Sequence, residues 1–264
     1  MAAAGDSVGG AGLTVEPVDV LAFGAHPDDV ELSAGGTIAL LVQQGYRVGI
    51  VDLTRGELGS RGSVEIRARE AARASEILGV HARENLGFPD GDIANTVENR
   101  WRVLRAIRKY RPHIVLIGAP DCRHPDHPAG ARLVADAIFQ AGLVKIASQE
   151  FGQPQEPWRP SHVLHYMQSI DFIPDFVVDV GATWEQRTRA VQAYASQFHS
   201  SEYEAGEDEP ETFISSPGFM KFYEGRAVAL GYRIGASHGE GFLYRHGPVG
   251  VTDLMQVLER GRAR

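Results

Sequence analysis

The sequence predicts an α/β fold, a Rossmann-like, doubly wound and mostly parallel sheet flanked by helices, with a metal site at the C-terminal edge of the strands. Three observations predict it. Short apolar runs, VDVLAFG (18–24), RVGIVDLT (47–54) and HIVLIGA (113–119), alternate with helical patterns through the first half of the chain. Helix-ending residues follow those patterns: Gly45 and Gly79 as left-handed caps, Pro112 as a stop. Two clusters of His and Asp, AHPDDVE (25–31) and RHPDHP (123–128), stand directly behind two of the apolar runs, where an open sheet of this kind binds its ligands.

In chain order, the run 18–24 is a buried strand and is followed by a helix over about 31–44. The strand 47–54 leads to a helix over about 62–78, whose inner column reads Val64, Arg67, Ala71, Ala74, Leu78. A short strand at 83–87, a helix at 96–110 and the strand 113–119 complete the βαβ rhythm. Pro128 suits the first turn of the next helix, whose apolar side is Leu133, Val134, Ala137, Ile138 and Ala141. Beyond it the pattern loosens. Strands are expected at 162–169 and 175–180. A helix at 183–198 carries Trp184, Thr188, Val191, Ala195 and Phe198 as a core stripe. The acidic, turn-rich stretch 199–218 reads as a mobile surface loop, and a further helix runs over 218–230. Residues 1–16 are expected to be a flexible leader before a single domain at 17–264, with Gly35 and Gly36 allowing close packing of helix on sheet.

Composition narrows the function classes. With 26 basic and 34 acidic residues the net charge is −8, which argues against a nucleic-acid binder that neutralises phosphates. Nothing resembles a signal peptide or a membrane span, so a soluble chain is expected. A single cysteine, Cys122, excludes an internal disulfide and fits a reducing cytoplasm. Cys122 reads as a small packed side chain, although its place beside the second cluster would suit a reactive thiol. A nucleotide-binding oxidoreductase needs a glycine-rich turn after the first strand. Here that turn is GAHPDD, whose carboxylates would repel a pyrophosphate.

The two clusters supply the chemistry. In the common strand order the first and fourth strands flank the point where the order reverses, so residues 26–29 and 124–127 meet across one crevice. A catalytic zinc takes three protein ligands and leaves one position for water. His26, Asp29 and one histidine of the second cluster supply such a set. Asp28 is then left over as a base that takes a proton from water and returns it to a leaving amine. The remaining histidine, if charged, would stabilise an oxyanion, and Asp126 would hold that imidazole. A non-catalytic sugar-binding or metal-sensing protein would have no use for the extra carboxylate.

AHPDDVE followed by GGT, and later RHPDH, resembles the LmbE-like or PIG-L zinc-dependent de-N-acetylases, and among them the bacillithiol-pathway enzymes that deacetylate N-acetylglucosaminyl malate. The likeness runs from VDVLAFGAHPDDVEL through LGFPDG to DCRHPDHPAGARLVADAIFQAGL, and more loosely through IPDFVVDV, AYASQF and GEGF. It implies one zinc per chain on His26, Asp29 and His127, Asp28 as general base and acid, and His124 as a charged stabiliser paired with Asp126. It also implies an N-acetylglucosamine conjugate as substrate, with mycothiol-type or antibiotic precursors as the alternative, and a trimer or hexamer. Arg67 would hold sugar hydroxyls, and Asp90 of the FPDG turn would contact the sugar. Arg123, by its guanidinium geometry, would meet a substrate carboxylate such as that of malate. Glu31 is expected to complement the first helix's N-terminus. Relatives carry an oxyanion-assisting tyrosine where this chain has Phe219, leaving either Tyr223 or Tyr203 as a replacement or the role absent here.

Overall fold

The computed structural model describes residues 15–255. The expected leader, as far as residue 14, lies outside them. The chain builds β1 (Val20–Gly24), α1 (Asp29–Gln43), β2 (Val48–Thr54), α2 (Val64–Leu78), β3 (Ala82–Phe88), α3 (Val97–Tyr110), β4 (Ile114–Ile117) and α4 (Asp126–Ala141). A two-residue hairpin follows, β5 (Gln149–Glu150) and β6 (Gln153–Pro154). Then come β7 (His162–Tyr166), β8 (Phe176–Asp179), α5 (Trp184–Gln192), α6 (Phe219–Arg233) and β9 (Gly239–Tyr244). The main sheet has seven strands in the order β3-β2-β1-β4-β7-β9-β8. β3, β2, β1, β4 and β7 are parallel, and β9 pairs antiparallel with both β7 and β8. The order reverses between β1 and β4, as the sequence predicts.

Central strands are apolar on both sides because helices cover both faces. Leu21 and Phe23 of β1 face a core with Leu104 and Ile107 of α3 and Leu133, Val134 and Ala137 of α4. Val20 and Ala22 face the other core, with Val30, Ala34 and Ile38 of α1, Ala71, Ala74 and Leu78 of α2, and Val191 beyond them. Caps fix the helix ends. Ser63 Oγ accepts the Ile66 N–H at the start of α2, and Gly79 closes that helix at φ +74°. Among the described residues no helix is long and apolar enough to cross a membrane.

Two expectations need correction and a third is incomplete. The helix expected at 183–198 stops at Gln192, and its buried side is Arg187, Ala190 and Val191 rather than the stripe through Trp184 and Thr188. Beyond it the backbone N–H and hydroxyl of Ser196 donate to Glu70 of α2 at 2.8 and 2.7 Å, partners that a continued helix would forgo. β9 was not expected, and its two glycines hide it. A Cβ at Gly239 would come within 2.5 Å of Val177 and one at Gly241 within 3.1 Å of Pro174, so close packing demands residues of low strand propensity. Glu31 does stand in the first turn of α1, but its carboxylate is engaged by partners from other elements as well. Its side chain is fully buried, 2.5 Å from Arg83 Nη1 and accepting from the Tyr194 hydroxyl at 2.8 Å.

Gly36 fulfils its expected role. A Cβ there would lie 2.8 Å from Val180, and its N–H instead donates to Glu240 of β9 at 2.9 Å.

Candidate active site

The C-terminal ends of the parallel strands converge on a cavity of about 380 Å³. β1 delivers His26, Asp28 and Asp29; β3 delivers Asp90; β4 delivers Arg123, His124 and His127; β7 delivers Gln168. All of the predicted site residues except Asp126 line the cavity, and Asp126 lies immediately beneath, 2 % exposed.

The turn after β1 is bent tightly. Asp28 takes φ +119°, a backbone region that side-chain-bearing residues rarely adopt and that costs about 1–3 kcal/mol. Arg67 braces it, donating from Nε to the Pro27 carbonyl at 3.1 Å and from Nη2 to Asp28 Oδ2 at 2.7 Å. The polar residue in the apolar column of α2 thus has its partner in the first cluster, and two of its donors are already engaged. Arg67 takes Oδ2, and the Asp28 side chain lines the cavity. Burial, the largest influence, pushes the Asp28 carboxyl up to about 7 against the opposing attraction of Arg67.

Asp29 sits between two imidazoles. Its Oδ1 lies 3.1 Å from His127 Nε2 and accepts from Gln168 Nε2 at 3.1 Å; its Oδ2 lies 3.5 Å from His26 Nδ1. Burial disfavours its charge, yet His127 and His26 hold it well below the usual carboxylate range. The His127 imidazole is correspondingly raised to about 9, with burial opposing and Asp29 prevailing. His26 is also held well above the ordinary imidazole value, because Asp126, Asp29 and Asp90 outweigh its burial. One nitrogen from each of His26, His124 and His127 lies within 4.8 Å of the others. Imidazole nitrogens packed this closely, with the Asp29 carboxylate 3.1 Å from His127 Nε2, fit a divalent cation such as zinc.

Asp126 departs from its expected place beside the His124 ring. Its carboxylate accepts the N–H groups of Gly91 at 2.7 Å and Ile93 at 3.4 Å and lies 3.3 Å from His26 Nε2. His124 Nδ1 instead accepts the Asp126 backbone N–H at 3.3 Å. That bond places the ring proton on Nε2, and burial together with repulsion from His26 and His127 lowers the His124 pKa. The Asp126 carboxylate therefore does not pair with the His124 ring, the arrangement expected. The cause is the turn at 90–93, whose amides need the Asp126 carboxylate.

Asp90 Oδ1 lies 2.9 Å from His26 Nε2 and Oδ2 accepts the Leu58 N–H at 2.8 Å; burial opposes its charge, but these contacts hold the carboxyl at about 2. Arg123 is exposed, its guanidinium 5.1 Å from the centre of the Phe213 ring, and among the described residues it makes no ion pair. The 199–218 stretch therefore supplies a wall, through Thr212, Phe213 and Ile214. Phe219 and Tyr223 also line the cavity, with the Tyr223 hydroxyl 3.5 Å from Ser33 Oγ. Tyr203 is spent on Glu209, bonding both carboxylate oxygens at 2.8 Å. Sequence reasoning missed Gln168, although it lies just past the end of β7 as the clusters lie past β1 and β4. Cys122 Sγ lies 3.0 Å from His127 Nδ1.

The PIG-L family model, described as GlcNAc-PI de-N-acetylase, matches residues 21–138. A diacetylchitobiose deacetylase of Thermococcus kodakarensis is 33 % identical over 228 residues, covering 81 % of this chain and 82 % of the relative. The chain belongs to the PIG-L family. The family's de-N-acetylases are metal-dependent hydrolases. A probable N-acetyl-α-D-glucosaminyl L-malate deacetylase of Bacillus cereus is 26 % identical over 196 residues, 67 % of this chain and 83 % of the relative. A relative named for another activity, a 4-oxalmesaconate hydratase of Pseudomonas putida, is 29 % identical over 202 residues, 69 % of this chain and 75 % of its own. Among solved structures, a conserved protein of Thermus thermophilus superposes with a TM-score of 0.79 at 36 % identity, covering 90 % of this chain and 98 % of that one.

Proposed function

We propose that this PIG-L protein is a zinc-dependent hydrolase that removes the N-acetyl group from an N-acetylglucosamine conjugate, with N-acetylglucosaminyl malate as its substrate. The observation that carries the proposal is the carboxylate Asp28, which lines the cavity beside the donor cluster with one oxygen held by Arg67. A hydrolase needs such a base; a metal store does not.

In this reading His26, Asp29 and His127 hold the ion. When bound, zinc supplies Lewis acidity, polarising the acetamide carbonyl and acidifying a water. Asp28 takes the proton of the attacking water on Oδ1 and returns it to the departing amine, while Arg67 keeps Oδ2 fixed. His124 donates from Nε2 to the oxygen on which negative charge develops, a contribution of about 3 kcal/mol for one such donor. Asp126 serves indirectly, tying the 90–93 turn to His26. Arg67 and Asp90 border the sugar, and Arg123 at the mouth meets the malate carboxylate.

A second reading has support of its own. Phe213 is 57 % exposed at the mouth and offers a flat face to a second sugar ring, and the relative with 33 % identity is named for a disaccharide. Acetate release by the zinc-loaded protein separates the readings on a panel of N-acetylglucosaminyl malate, an N-acetylglucosaminyl inositol, diacetylchitobiose and free N-acetylglucosamine. The malate conjugate is expected to show the highest kcat/KM. A neutral conjugate ahead of it would overturn the malate assignment, and no acetate from any of the four would overturn the deacetylase itself.

A further inference from the structure

Cys122 is the chain's single cysteine and lies in the connection between β4 and α4, five residues before His127. The mechanism above does not use it. Its position is nevertheless specific: half-buried, with Sγ 3.0 Å from His127 Nδ1 and with Ser169 and the backbone N–H of His124 as further neighbours. The opposite ring nitrogen, Nε2, points at Asp29 and the donor cluster.

A histidine that offers Nε2 to a cation must carry its proton on Nδ1, and that N–H needs an acceptor. Carboxylates, backbone carbonyls and water fill this role for most ligating histidines. His127 has none of the first two within hydrogen-bonding distance of Nδ1 among the described residues; its partner there is sulfur. His26 differs, since carboxylates face both of its ring nitrogens.

We propose that Cys122 is a positioning residue for His127: Sγ accepts the Nδ1–H, fixes the tautomer and plane of the ring, and so sets the metal affinity of the site. The proposal rests on the reading of His127 as a ligand. Sulfur is a weak and diffuse acceptor, so a carboxylate in its place would hold the ring at least as well.

The test is zinc affinity of the metal-stripped protein, measured by competition with a chromophoric chelator, with thermal melting of the stripped protein as a control on folding. Cys122→Ala and Cys122→Val each remove the acceptor and are expected to raise Kd about 10-fold to 100-fold. Cys122→Ser and Cys122→Asp keep an acceptor and are expected to stay within a few-fold of the parent. Either apolar variant binding zinc with the parent's affinity overturns the proposal. So does a serine variant as weak as the alanine one, since packing volume rather than hydrogen bonding would then be at work. If Cys122→Ala does not fold, Cys122→Val and Cys122→Ser decide between the same outcomes. His127→Ala is run alongside. If it keeps full zinc content, the ligand assignment fails independently of Cys122.

Discussion

The turn after β1 and the connection after β4 carry nearly the same word, HPDD and HPDH, yet they fold into unlike surroundings. In the first, His26, Asp28 and Asp29 are 7, 6 and 6 % exposed, and the backbone at Asp28 is forced to φ +119°. In the second, only Asp126 is buried to that degree, His124 and His127 are half-buried, and Arg123 is exposed. The difference comes from what packs outside each. α1, which follows the first turn, lies against α2, α5 and β9; both turns line the cavity, and the 199–218 segment borders it too. One turn is the floor of the site and the other its wall. Substitutions in the floor should alter chemistry on every substrate, and those at the outer edge of the wall should alter choice among substrates.

The largest effect tests whether floor and wall share one ion. Asp29→Ala, His26→Ala and His127→Ala are each expected to reduce bound zinc from about one per chain to near none and to abolish turnover, because loss of one of three ligands destroys such a site. Elemental analysis of the purified variants checks it. Full zinc content in a floor variant, with loss only in the wall variant, would break the shared site apart.

Within the floor the two adjacent carboxylates should separate cleanly. Asp28→Asn is expected to keep its zinc and lose about 100-fold to 10,000-fold in kcat, the usual range for a missing general base. Turnover close to the parent's would place the proton elsewhere. Arg67→Met probes the same atom by charge. Burial lifts Asp28 to about 7 while Arg67 draws it down, and the base works only when ionised. Without Arg67 the Asp28 pKa rises, so the acidic limb of the kcat/KM profile should move to higher pH, with a loss of roughly 50-fold near neutrality for a buried charge-assisted contact. A limb that stays in place, or moves down, would show that Asp28 is not the titrating base.

Much of this was legible in the sequence for a physical reason. A strand buried on both faces must be apolar throughout, so VDVLAFG and HIVLIGA announce themselves, and polar residues placed immediately after such runs sit at a sheet edge by necessity. That logic brought His26, Asp28, Asp29, His124 and His127 together, and it extends to Gln168 behind β7. It failed where a residue's partner is distant in sequence. Asp126 looked like a partner for His124 two positions away, but the amides of Gly91 and Ile93 claim it. Glu31 stands in the first turn of α1 as expected, but its pairing with Arg83, far along the chain, was not legible. β9 was hidden because the glycines that let it pack also erase its strand signature.

The smallest expected effect is the sharpest test of the contrast between floor and wall, because it asks for a change in preference without a change in chemistry. Arg123 stands at the outer edge of the wall, exposed, and stacks over Phe213 rather than pairing with an acid. A charge-assisted contact is worth about 1.5–3 kcal/mol when shielded, and water at the mouth should hold this one near the lower figure. Arg123→Ala should therefore cost about 10-fold in kcat/KM on N-acetylglucosaminyl malate, since about 1.4 kcal/mol is a factor of 10. Free N-acetylglucosamine and diacetylchitobiose, which carry no carboxylate, should be turned over as before. Arg67→Met supplies the contrast, because a floor residue should impair all three alike. If Arg123→Ala instead lowers kcat on every substrate, the guanidinium is acting on the reacting centre and the wall is part of the machinery. If it impairs only diacetylchitobiose, its contact with Phe213 is what matters, and the mouth is built for a second sugar ring rather than for malate.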